Sequence, residues 1–160
     1  MTSPTREQVF AALFTQLKTA PGINTYSRRM SDYSAIPPGL LPCLILWEQP
    51  EETRYAGRQG LPVNTWEAVI LIVFQNESKP HNGDPTTAVP GATIVNPLVD
   101  AVRAALAPDD ISTNNYTVGG LVEWCRVEGK TVIETGDTDA DGYGGAVIPL
   151  KILVPSQGGY

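Results

Sequence analysis

Asp137, Asp139 and Asp141 are spaced two apart and followed by Gly142. In the first half of a calcium-binding loop this spacing turns alternate carboxylates inward as hard oxygen ligands, and the glycine allows the sharp turn. The second half is missing. Ile148 stands where the bidentate glutamate belongs, and no helical pattern flanks the segment. Asp and Gly are also ordinary turn residues, and a solvated hairpin tip is the heavier of the two readings. His81 is the only histidine, so a Ser-His-Asp or Cys-His pair would have to use it. It stands in the polar stretch KPHNGD and reads as a surface-loop residue. One histidine and two cysteines fall short of a zinc set. Cys43 and Cys125 both lie inside apolar segments and read as buried, reduced thiols. Val118-Gly119-Gly120 precedes a strand, so it lacks the helix N-terminus that would hold a phosphate. The expectation is a chain with no cofactor that is not an enzyme.

The charge balance narrows the partners. Eleven basic and 17 acidic side chains give a net charge of -6, and Arg28-Arg29 is the only adjacent basic pair. Nucleic-acid binding needs clustered cations to neutralise phosphates. No apolar run approaches the roughly 20 residues that span a bilayer, so no membrane partner is expected. The N-terminus lacks the basic-then-apolar order of a secretory signal. With 42% apolar and 18% charged residues in 160, the chain has the composition of one folded domain. We expect that domain over residues 1–155, with 156–160 as a flexible C-terminal tail.

The elements that must position these residues follow from periodicity. Ser3 as cap and Pro4 at the first helical position predict a helix carrying Val9, Phe10, Leu13, Phe14 and Leu17 on one face, stopped by Pro21-Gly22. A short edge strand is expected at 25–29 and a Pro-rich loop at 31–42. CLILWE (43–48) and the run from Asn64 to Asn76 read as strands. Ala68, Ile70, Ile72 and Phe74 share one face of the second, and Val69, Leu71 and Val73 the other. Both faces are apolar, so both should be covered, the second by a loop or, with slight preference, by another subunit. The charged segment between these strands predicts a long hairpin arm with a solvated tip. Residues 77–93 predict a long loop of the kind that is functional or mobile. A second helix is expected from Pro97 to Leu106 with Asn96 as cap. Strands at 121–128 and 130–135, linked tightly at Gly129, precede a last strand carrying Ile148, Leu150, Ile152 and Val154. The three tryptophans are expected to pack in the core, while Tyr116, Tyr143 and Tyr160 lie in loops or at the end. Together these predict a single α+β domain: an antiparallel or mixed β-sheet with two helices packed on one face and a long β-hairpin arm.

The order of these elements supplies a resemblance. REQVFAALFTQL is followed by LPCLILWEQ, a charged hairpin, a buried strand, NPLVDAVRAAL, Gly-Gly, a Trp-containing strand and AVIPLKILV. This order resembles that of the tail terminator (tail completion) proteins of tailed bacteriophages across almost the whole chain. Tail tube and head-closure proteins are similar in the same way. The resemblance implies a structural virion protein at the neck end of the tail, assembled in the host cytoplasm. It implies a homo-oligomeric ring, usually of six subunits, that caps the tail tube, ends its polymerisation and offers a joining surface to a head-side connector or head-closure protein. DNA would pass through as cargo without specific binding. Glu51, Glu52, Arg54, Tyr55 and Arg58 of the arm, with Lys79 and His81 of the following loop, are the candidates for contact with a neighbouring subunit or the tube. For the arm charges, a solubilising loop tip weighs equally.

Overall fold

A computed structural model of the chain describes residues 3–55 and 62–155. Arg58, Tyr160 and the expected 156–160 tail lie outside the described residues. The first helix, α1 (Arg6–Leu17), starts two residues later than Ser3 and Pro4 suggest. Thr5 is the cap. Its hydroxyl accepts from the Gln8 backbone N–H at 3.1 Å, and the Gln8 side chain accepts from the Thr5 N–H at 2.8 Å. Ser3 would have Arg6 in the reciprocal position, which has no acceptor, so Thr5 prevails.

Six strands form one sheet: β1 (Thr25–Ser27), β2 (Cys43–Tyr55), β3 (Pro62–Gln75), β4 (Trp124–Val127), β5 (Val132–Glu134) and β6 (Tyr143–Val154). The order is β1-β2-β3-β6-β4, with β5 also paired to β6. β1 runs parallel to β2 and every other pair is antiparallel, so the sheet is mixed. The fold is α+β. β4 and β5 do not form the expected hairpin. They lie end to end along β6, on Leu150–Leu153 and Gly145–Val147. The four residues of the link through Gly129 pass only two of β6, so the chain bulges there and keeps its direction.

The second helix, α2 (Ala92–Ala105), begins five residues before Pro97. The proline is tolerated inside because it and Thr93, whose carbonyl loses its donor, both lie on the solvent face. The true cap is Gly91, and its N–H donates to Asp137 Oδ1 at 2.8 Å.

The two sheet faces differ. On the first, Leu44, Leu46, Ala68, Ile70, Ile72, Phe74, Ile148, Leu150 and Ile152 pack against Val9, Phe10, Leu13 and Leu17 of α1. Val95, Leu98, Val99 and Val102 of α2 complete this core. Tyr116, expected in a loop, also joins it. On the second face, Ile36 and Leu41 cover Cys43, Ile45, Leu71 and Val73. The Pro-rich loop, not another subunit, therefore supplies the cover over that half. The other half stays open. Trp47 is 42% exposed instead of in the core, beside half-buried Val69 and Pro149.

β2 and β3 stay paired from Cys43–Val73 out to Tyr55–Pro62, with a register shift between Glu48 and Glu51. Charged residues that read poorly as strand, EETRY, are held extended by this pairing. β6 accompanies β3 only as far as Asn64–Val154. Beyond that row the arm projects as a two-stranded ribbon.

Candidate functional site

The arm is anchored where the register shifts. Arg6 bonds Glu48 at 3.2 Å, Glu51 at 3.3 Å and the Gln49 carbonyl at 2.8 Å. Its guanidinium lies 5.1 Å from the Phe10 ring centroid and 5.3 Å from that of Trp66. Arg28 donates to both Glu7 oxygens at 2.7 and 3.0 Å and to Glu48 at 2.8 Å. The Glu7 hydrogen bond, helped by Glu48, holds the Arg28 guanidinium above its ordinary pKa against the pull of desolvation. Single exposed pairs contribute little. Here five charged side chains tie α1, the residue after β1 and the arm base into one network, which fixes the direction in which the arm projects.

Outward from the anchor, the β2 side chains are exposed and those of β3 from Pro62 to Thr65 are half-buried. Arg54 bridges to Glu52 at 2.7 Å, and Thr53 donates to Asn64 Oδ1 at 2.8 Å. Tyr55 is 69% exposed. The structure thus brings Glu51, Glu52, Arg54 and Tyr55 together on the outer half of β2, of which Arg54 and Tyr55 lie past the end of β6.

Lys79 and His81 lie elsewhere, in the loop after β3. The Lys79 ammonium donates to the Ala140 carbonyl at 3.1 Å. His81 is exposed, and its backbone N–H donates to the Thr87 hydroxyl at 2.5 Å. No hydrogen bond among the described residues joins the His81 ring to a serine or to either buried cysteine. Burial pushes the Cys125 thiol up to about 12, far from a reactive thiolate.

Two of the three aspartates do structural work with their carboxylates, and Asp141 takes part through its backbone. Asp137 Oδ1 accepts from Gly91 N–H at 2.8 Å and from Asn76 Nδ2 at 3.0 Å. The Gly91 bond leads in holding the Asp137 carboxyl below the usual range. Asp139 Oδ2 accepts from the N–H groups of Asp141 and Tyr143, both at 3.0 Å. Among the described residues, no three His, Cys, Asp or Glu side chains gather as a metal would require.

Sequence reasoning missed Asn76, the one buried polar residue among those described. Its amide donates to the Val89 carbonyl and to Asp137, and its backbone N–H donates to Gly142 O at 2.7 Å. An amide closing an otherwise apolar strand was the available signal.

No family model matches the chain, and no curated protein matches it. Among solved structures, a chain from "Virion of native gene transfer agent (GTA) particle" is similar, with a TM-score of 0.44 and 16% identity over 90% of this chain and 92% of that one. A likeness this loose assigns no role to any residue.

Proposed function

We propose that the chain is a structural protein of a tailed-phage virion, a tail terminator whose copies form a ring, of six subunits as the element order implies, on the end of the tail tube. The ring ends tube polymerisation and presents the surface that joins the head-side connector. The observation that carries this reading is the anchored arm: the charged, exposed outer half of β2, Glu51–Tyr55, adds nothing to the core, runs past the end of β6 and is tied at its base by the Arg6–Arg28 network. Such an element is built to meet another molecule. The half-open second face of the sheet, with Trp47 exposed, adds a second unpartnered surface at a different place. Two different patches on one chain are what a head-to-tail ring needs.

The test is native mass spectrometry over a concentration series, with electron microscopy of the same samples. One closed oligomer of fixed size supports the terminator. Open-ended tubes identify a tail tube subunit instead. A monomer that neither assembles nor binds terminator-deficient tails removes both readings.

A further inference from the structure

We infer that the outer edge of the arm, Glu51–Tyr55, pairs antiparallel with residues 127–131 of a second copy, Glu52 facing Lys130 and Arg54 facing Glu128. This rests on the ring reading and names the contact that reading leaves open. β1 covers β2 only along Cys43–Ile45. Arg6 then takes the Gln49 carbonyl, which closes the edge to that point. From Glu51 to Tyr55 no strand among the described residues lies against the outer side of β2. Unpaired backbone N–H and C=O groups in a straight row accept another extended backbone. The charges make that edge selective, since a partner must set a cation against Glu52 and an anion against Arg54.

The chain carries a second edge at the opposite end of its sheet, bulged at Gly129, where φ is 121°. The Cys125 N–H donates to the Tyr116 carbonyl, so the outer side of β4 is closed there. Beyond it, Glu128 and Lys130 stand two apart, as Glu52 and Arg54 do, in the same acid-then-base order, which antiparallel pairing turns into opposite charges face to face. Lys130 is exposed, and Glu128 already gathers Arg126 and Lys151 around its carboxylate.

Strand sense agrees. β2, β3, β6 and β4 alternate in direction. A copy rotated about an axis along the strands therefore brings its β2 antiparallel to this edge. The offset agrees as well. Glu52 is level with Trp124 through Thr65 and Leu153, while Lys130 lies between the Val127–Leu150 and Val132–Val147 pairs. That is an offset of about five residues, or ~17 Å, across a four-strand width of ~19 Å. The resulting tilt of about 40° is what strands adopt when a sheet closes into a barrel.

The experiment is Glu52→Cys combined with Lys130→Cys, oxidised in the assembled protein and read on non-reducing gels beside native mass spectrometry. The native cysteines are both buried. A ladder of covalent multimers up to the ring size, absent from either single variant, is expected. In parallel, Glu52→Lys should raise the concentration for half-assembly about tenfold, and adding Lys130→Glu should restore it. Rings of normal size with neither ladder nor rescue overturn the pairing and leave the ring standing. A covalent dimer from Glu52→Cys alone also overturns it, because two arms would then meet about a two-fold axis. A monomer under every condition, tube template included, removes the pairing and the ring together.

Discussion

Asp109 shows how one carboxylate can hold a turn. It accepts from Thr117 N–H at 2.6 Å, from the Thr117 hydroxyl at 2.8 Å and from Gly119 N–H at 2.9 Å. Between these donors Val118 is held at φ 52°, a conformation that β-branched residues rarely adopt, with its side chain buried. Burial pushes the Asp109 carboxyl up, but the Gly119 and Thr117 bonds together outweigh it and leave the group below its ordinary value. A carboxyl depressed on folding takes up its proton more readily in the unfolded chain. Its contribution to stability is therefore complete above the unfolded value near ~3.9 and is lost as pH falls through the lower folded one. Calorimetry across the acid range should show the melting temperature dropping below about pH 4. Asp109→Asn should melt lower at neutral pH and show a flatter acid limb. An unchanged limb would mean that other carboxylates, such as Asp110 or Asp137, carry the acid sensitivity.

At the scale of elements, the junction of α2 with the turn before β6 is the tightest. A Cβ on Gly91 would lie 1.7 Å from the Thr135 carbonyl oxygen, although the Gly91 φ of -60° suits any residue. Gly91→Ala should therefore cost several kcal/mol or prevent folding, through contact alone. Gly39→Ala meets nothing within 4 Å and should change stability by less than about 0.5 kcal/mol. Urea unfolding of the two variants separates contact from backbone freedom. The same junction marks the limit of sequence reading. The apolar stripe of α1 and the two apolar faces of β3 are legible because helix and strand periodicity act within a few residues. The start of α2 is not, because its cap acceptor, Asp137, lies 46 residues away. The arm could be read as a hairpin, but the reach of β2 to Tyr55 could not. EETRY has no strand pattern of its own and takes its conformation from β3. Trp47 is the plainest miss. Whether a strand tryptophan is buried depends here on which half of a face a distant loop happens to cover.

For the whole molecule, the open half of the second face carries the third prediction. Trp47, Val69 and Pro149 stand in one row across β2, β3 and β6. Trp47→Ser should leave the circular dichroism spectrum unchanged and the melting temperature within a few degrees, since the side chain is already 42% exposed. Sedimentation velocity should show weaker self-association. Unchanged association would assign that row to solvent, and the arm would then bear the subunit contact unaided. The central β3–β6 ladder also sets a timetable. Its twelve pairs join residues roughly seventy to ninety positions apart, so loop closure dominates the folding rate. While the ribosome is still short of Tyr143, the apolar edge of β3 from Val69 to Phe74 has no neighbour, and β4 and β5 have no strand to lie on. A nascent or prematurely terminated chain thus lacks the 127–131 edge as well as its own core. Synthesis itself decides when a subunit becomes competent to join others, and an unfinished one is left to chaperones and proteases.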